Sequence, residues 1–188
     1  MRIARILVTL AVALCGCGNP DSIVFGGFNG AVISEVRSAI HGNVLQVEVA
    51  QDTKVPLSVI LLSDTPGLCD RLAQHPDFFR TSYGVATTLV LFLPQDRLGS
   101  FAPGLNNANA EIVVDLPLPD GGATNTAIGF PAFANNGIIS VSQLNMGTNG
   151  EAKGSFRVVI LGGDQLPHEF FGNFKSQFCA SMANVILP

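Results

Sequence analysis

The sequence contains no tryptophan and a single tyrosine, and charged residues make up only 13% of its 188 residues. Its ten lysines and arginines are scattered, and acidic residues form no run of like charge. Binding of nucleic-acid phosphates needs cations clustered on one face, so nucleic acid is not an expected partner. Carbohydrate sites often stack sugars on Trp or several Tyr, so the scarcity of both gives a glycan-binding face little support.

Apolar residues make up 47% of the chain, and its formal net charge is −4. This composition is typical of a folded protein rather than a disordered one. The length fits one domain that is large enough to bury a sizeable core.

The N-terminus carries a short apolar run behind positive charges. Arg2 and Arg5 precede residues 6–14, which are apolar except for one threonine. At 1.5 Å per residue, a helix of this length covers about half of a hydrocarbon core that is roughly 30 Å thick. The run is therefore too short to cross a membrane and has the length of the apolar region of a secretory signal peptide.

Leu14-Cys15-Gly16-Cys17 follows this run and resembles a bacterial lipobox. On that resemblance, Cys17 becomes the first mature residue and carries the lipid. Cys15 fits less well as acceptor, because the bulky Leu14 would then lie beside the cleaved bond. Two alternatives are a Cys-x-Cys metal or redox pair, which lacks a second Cys or His pair nearby, and a plain cleaved signal that leaves two free thiols.

The lipobox resemblance implies a signal peptide at 1–16 and a lipidated Cys17. The Asn, Pro, Asp and Gly content after it predicts a flexible tether through residue 28, and the chain length predicts a single domain at 29–188. Two or three acyl chains on one residue anchor a protein stably to a bilayer. Gly18, rather than Asp, follows the acceptor. By analogy with Gram-negative lipoproteins, this predicts a location at the outer membrane of the bacterial envelope.

Cys69 and Cys179 are the two remaining cysteines. In an exported protein an even pair predicts a disulfide, and closing so long a loop is worth roughly 4 to 5 kcal/mol in the chain-entropy model. The alternative is a catalytic thiol at Cys69, with His75 brought close as its base.

Alternating and continuous apolar segments predict a protein built mainly of strands. The predicted strands are 45–49, 57–62, 88–93, 112–116, 138–144 and 156–160. The runs at 57–62 and 88–93 are continuous enough to be buried on both faces, and Gly-, Asn- and Pro-containing turns separate the segments. This spacing predicts an all-β fold, either an antiparallel β-sandwich or an open barrel.

One short helix is predicted from Cys69 to about Phe79, with Leu68 and Leu72 on one face and Pro76 limiting it to about two turns. Two other segments have apolar residues at helical spacing, although the first of them also suits an edge strand. These residues are Val32, Ile33, Val36, Ala39 and Ile40 in the first segment, and Phe170, Phe171, Phe174 and Phe178 in the second.

Four stretches of the chain, "SDTPGLCD" (63–70), "NNGIISVSQL" (135–144), "GEAKGSFRVVI" (150–160) and "FFGNFKSQFC" (170–179), resemble a group of uncharacterised secreted lipoproteins. These proteins come from myxobacteria and related Gram-negative bacteria. The resemblance covers well over half of the mature chain, and it implies a β-sandwich with a Cys69–Cys179 link. It implies no activity, since the group has none assigned.

Motifs for metals and cofactors are incomplete in this sequence. His168-Glu169 begins the zinc motif H-E-x-x-H, but Gly172 takes the place of the second His. The loop "GTNGEAKGS" (147–155) departs from a phosphate-binding loop and is expected to form a hairpin turn. Five residues could supply oxygens to Ca²⁺ but match no known loop spacing: Asn106, Asn107, Asn109, Asp115 and Asp120. We therefore expect no cofactor and no metal.

The lack of a catalytic constellation favours a non-catalytic, lipid-anchored envelope protein that acts in binding, adhesion or structure. Its partners would be the membrane, through the lipid, and a protein or glycan that the sequence does not identify. The alternative is an envelope hydrolase whose site assembles only in three dimensions, with Asp64, Asp70 and His75 as candidates.

Overall fold

The structure is a computed structural model, and it describes residues 21–27, 33–48, 53–79, 87–94, 97–104, 108–117, 123–131, 136–162 and 166–185. The strands in these residues are β1 (Ile23–Phe25), β2 (Ser38–Glu48), β3 (Thr53–Ser63), β4 (Thr87–Leu93), β5 (Gly99–Phe101), β6 (Asn109–Pro117), β7 (Ala123–Pro131), β8 (Gly137–Leu144), β9 (Glu151–Leu161) and β10 (Pro167–Phe178). The helices are α1 (Leu68–Gln74) and a 3₁₀ helix (Ala180–Asn184).

The strands form one sheet in the order β1-β10-β2-β3-β4-β6-β7-β9-β8-β5. An additional pairing between β9 and β10 joins distant parts of this order, so the pairings run from β10 through β2, β3, β4, β6, β7 and β9 back to β10. Strands β2 and β10 are parallel, whereas the other described pairs are antiparallel. The predicted all-β class with one short helix is confirmed, with a mixed sheet in place of a purely antiparallel one.

An inner core lies between the two halves of this sheet. Leu89 and Leu91 of β4 belong to one buried cluster with Phe156 and Val158 of β9 and Phe170 of β10. Burying side chains of this size contributes roughly 1.5 to 3 kcal/mol each. The alternation predicted for β9 is confirmed, because every second residue from Phe156 to Ile160 is buried while Arg157 is exposed.

A second, outer core covers the opposite side of β2, β3, β4 and β6. Val59 and Leu61 of β3 pack there in one cluster with Leu68 and Leu72 of α1, and Met182 of the 3₁₀ helix belongs to the same cluster. Strands β3 and β4 thus contribute to both cores, and all of β4 is buried. This confirms that the two continuous apolar runs are strands buried on both faces.

Neither segment with helical spacing is a helix. Ala39 and Ile40 lie in β2 and the four phenylalanines lie in β10, whereas Ile33 and Val36 precede β2 outside any helix or strand. Strand β2 lies between β10 and β3 and is not at an edge, with Ala39 in the inner core and Ile40 in the outer core. In β10, Phe170 and Phe174 both face the inner core. A spacing of four residues places side chains on one face of either a helix or a strand, so it cannot separate the two. Val32 lies outside the described residues.

The segment predicted as a flexible tether contributes a strand. Strand β1 pairs with β10 at Ile23↔Asn173, and Val24 is buried in the inner core. A Cβ at Gly172 would collide with the carbonyl oxygen of Ile23, so the glycine permits this close approach. The folded domain therefore begins several residues before the predicted boundary at residue 29.

The loop at 147–155 is part of a hairpin, as predicted. The Gly150 N–H donates a hydrogen bond to the Gly147 carbonyl at 2.7 Å, Asn149 has a φ of 60°, and β9 begins at Glu151. Strands β8 and β9 then pair antiparallel, so this loop is a turn and not a phosphate cradle.

Candidate functional site

Cys69 and Cys179 form a disulfide, with their Cα atoms 5.8 Å apart. This confirms the predicted pairing. The alternative, a catalytic thiol at Cys69, is wrong because the sulfur of Cys69 is bonded to that of Cys179. Cys69 lies in α1, and Cys179 lies between β10 and the 3₁₀ helix. The bond therefore fixes the helical cover of the outer core to the end of the sheet. Cys17 lies outside the described residues.

The candidates for a hydrolase site lie on either side of α1 and within it. Asp64 follows β3, and its carboxylate accepts a hydrogen bond of 2.8 Å from the Thr87 N–H, which joins the ends of β3 and β4. Asp70 is exposed in the first turn of α1, and His75 is the C-cap residue of that helix. The bond to Thr87 gives Asp64 a structural role, and the hydrolase stays a prediction.

His41 is a buried histidine whose ring nitrogens both have partners. Its Nε2 donates to the Asn145 carbonyl at 2.9 Å, which leaves Nδ1 to accept from the Ser176 hydroxyl at 3.0 Å. Burial lowers the pKa of His41 below its usual value, against the opposing effect of the Asn145 hydrogen bond. His41 is 1% exposed and Ser176 is 0% exposed. A substrate cannot reach this pair, which instead ties β2 and β10 to the β8–β9 turn.

The outward side of β1, β10, β9, β8 and β5 is here called the open face. The strand registers align one row across it that begins at Ile23 and is otherwise polar, with Asn173, Ser155, Ser140 and Ser100. A neighbouring row consists of Phe25, Phe171, Arg157 and Ile138. No described helix packs on this face, whereas α1 and the 3₁₀ helix cover the outer core on the opposite side.

Four apolar side chains of the open face, here called the apolar strip, are exposed. Their exposed fractions are 43% for Ile23, 52% for Phe25, 46% for Ile138 and 45% for Phe171. The rings of Phe25 and Phe171 stack with centroids 5.3 Å apart. Ile23, Phe25 and Phe171 lie on the adjacent strands β1 and β10, whereas the exposed Arg157 of β9 lies between Phe171 and Ile138 in the same row. Clustered exposed apolar side chains, unlike single ones, mark surfaces that contact a partner or a membrane.

The charged groups of the open face are paired with one another. Lys175 lies 2.9 Å from Asp21, Lys153 lies 2.9 Å from Glu151, and Arg157 pairs with Glu169. The hydrogen bond from Arg157 lowers the pKa of the Glu169 carboxyl, and that from Lys153 lowers the pKa of Glu151. Cations and carboxylates therefore balance on this face at neutral pH.

A shallow groove of about 450 Å³ crosses the polar end of the open face. Its lining includes the hydroxyls of Ser140, Ser142 and Ser155 and the side chains of Lys153 and Lys175. These groups can donate and accept hydrogen bonds with a polar ligand. The lining holds serines and lysines, the residue types of a Ser-Lys pair, but Lys153 is ion-paired with Glu151 and Lys175 with Asp21. The hydrogen bond to Asp21 raises the pKa of Lys175, so this amine stays protonated and is a poor base.

Glu111 is the buried ionisable residue that sequence reasoning missed. It lies in β6 opposite Val90 and two residues before Val113, both of which belong to the outer core. Glu111 is 5% exposed, its Oε1 has no hydrogen-bond partner, and burial raises its pKa to about 7. The available signal is its position between Ala110 and the mostly apolar run 112–116, which is predicted to be a strand.

Within the described parts of the chain, no group of three or more His, Cys, Asp and Glu is placed to hold a metal ion. In the same parts, no helix is both long enough and apolar enough to span a bilayer. Comparison of the chain with protein-family models, with curated proteins and with solved structures finds no match.

Proposed function

We propose that the chain is a lipid-anchored protein of the bacterial envelope, held at the outer membrane by acyl chains on Cys17. Its β domain is a non-catalytic binding or structural module. The lipobox-like Leu14-Cys15-Gly16-Cys17 supports the anchor, because it follows an apolar run of the length found in signal peptides.

The disulfide between Cys69 and Cys179 is the observation that carries this proposal. Disulfides form and persist in oxidising compartments, so the bond supports export of the chain across the cytoplasmic membrane. The disulfide and the N-terminal signal lie in different parts of the chain, and both favour the envelope.

The open face supports a binding role for the domain. It presents an apolar strip beside a polar groove, whereas two polar groups elsewhere are engaged in the fold: Asp64 bonds to a strand, and His41 is buried with both ring nitrogens paired. An exposed surface without a catalytic constellation is suited to contact rather than to turnover.

Labelling with radioactive palmitate in a Gram-negative host tests the anchor. We expect wild type and a Cys15→Ser variant to incorporate the label and to fractionate with membranes. Cys17→Ser should incorporate none and lose its membrane association, because the acceptor thiol is gone and no acyl chain remains to anchor it.

Cys15→Ser is the matched control, since Cys15 leaves with the signal peptide if the acceptor is Cys17. Equal labelling of wild type and Cys17→Ser would contradict the proposal. Loss of label in the Cys15→Ser variant only would identify Cys15, two residues upstream, as the acceptor.

A further inference from the structure

The apolar strip lies close to the proposed anchor. Cys17 is four residues before Asp21 and six before Ile23, the first residue of β1. An extended chain spans at most 3.3 to 3.6 Å per residue, so the acceptor lies within about 14 Å of Asp21 and about 22 Å of Ile23. In a lipidated protein, this short connection holds the β1 edge of the open face near the bilayer surface.

The side chains of the open face suit that position. Two stacked phenylalanines and two isoleucines are exposed there, and aromatic and aliphatic residues of this kind enter the boundary between headgroups and acyl chains. The cations and carboxylates on this face balance one another, so anionic headgroups neither attract nor repel it strongly. The opposite side carries α1, whose outward residues Asp70 and Gln74 are exposed and polar.

We infer that the apolar strip inserts into the headgroup region of the membrane that carries the Cys17 lipid, and so orients the domain with its open face toward the bilayer. The ligand is a phospholipid surface, which Phe25 and Phe171 contact with their exposed rings. The inference rests on the proposed function, because the lipid provides the proximity. Contact between the exposed apolar residues and lipid then restricts the rotation of the domain, which the tether alone would leave free.

The absence of tryptophan from the chain permits a direct test with single-tryptophan variants. Mature lipidated Phe25→Trp and Gln74→Trp proteins are reconstituted in vesicles of phosphatidylethanolamine and phosphatidylglycerol that contain brominated phospholipid. Gln74 is the matched control because it is exposed in α1, on the opposite side of the domain. The open face and α1 are separated by roughly 20 Å, the combined thickness of two packed sheets and a helix layer. Quenching of tryptophan fluorescence by the bromine atoms reports contact with lipid.

We expect brominated lipid to quench Phe25→Trp several-fold more than Gln74→Trp, and high salt to leave this difference unchanged. Equal and weak quenching of the two variants in vesicles that retain the protein would overturn the inference and leave the anchor intact. Protection of Phe25→Trp from aqueous iodide without quenching by lipid would also overturn it, and would assign the strip to a protein contact. A protein that fails to float with the vesicles lacks the anchor, which removes the proposed function as well.

Discussion

Removal of the Cys69–Cys179 disulfide is expected to lower the free energy of unfolding by about 4 kcal/mol. The bond joins residues 110 positions apart, and a cross-link of this span removes much of the chain entropy of the unfolded state. It also fixes α1 to the end of β10, so its loss frees the helical cover of the outer core. Urea unfolding of wild type and of a Cys69→Ala/Cys179→Ala double variant measures the difference.

Reductant provides the control for this experiment. It should shift the unfolding midpoint of wild type toward that of the double variant, and it should leave the double variant unchanged. Coincident unfolding curves for oxidised wild type and the double variant would show that the bond contributes no stability to the fold.

Replacement of Glu111 by Gln is expected to stabilise the protein by about 3 kcal/mol at pH 8 and to have little effect near pH 4. The unfolded chain ionises Glu111 near its ordinary pKa of 4.5, whereas the folded protein keeps the carboxyl protonated up to about 7. The stability of wild type therefore falls as the pH rises between these two values and levels off above them. A pKa difference of this size corresponds to about 3 kcal/mol.

Glu35→Gln is the matched control for this prediction. Glu35 pairs with Arg37 on the surface, where both side chains are 53% exposed, and such pairs contribute at most about 1 kcal/mol. Denaturant unfolding of the three proteins across the pH range gives the comparison. A Glu111→Gln protein whose stability follows that of wild type at every pH would contradict the burial of an unpaired carboxyl.

Local patterns predicted the strands with the strongest hydrophobic signals. Strands β3 and β4 are continuous apolar runs because both of their faces are buried, and the alternation in β9 marks its inner face. The hairpin between β8 and β9 followed from its Asn149-Gly150 turn, and Pro76 marked the end of α1 within two residues. These features depend on residues that are neighbours in the sequence, so the sequence pattern alone predicts them.

Local sequence patterns could not predict the features that depend on pairing between strands far apart in the sequence. The parallel contact of β2 with β10 joins Ile40 to Gln177, and no local spacing encodes it. Strand β1 has three residues, and it is stabilised by β10 and by the space that Gly172 leaves. The apolar strip likewise forms only when the registers of β1, β10, β9 and β8 bring its residues together.

The candidate site was predictable to different degrees. The Cys69–Cys179 bond followed from the cysteine count and the export signal, and the structure confirms it. Asp64 and His75 were grouped by their nearness in sequence, but the carboxylate of Asp64 bonds to β4 instead. Glu111 was not predicted as buried because it lies just before the predicted strand 112–116, whereas β6 begins at Asn109 and the outer core covers Glu111.

The lipid anchor is tested most directly by the mass of the N-terminal tryptic peptide of protein extracted from host membranes. The first trypsin site after the proposed mature start is Arg37, so the peptide spans residues 17–37. The predicted result is a peptide that begins at Cys17 and carries the added mass of two or three fatty acyl chains with glycerol. An unmodified Cys17, or a mature chain that begins at any other residue, would contradict the anchor and the membrane orientation inferred from it.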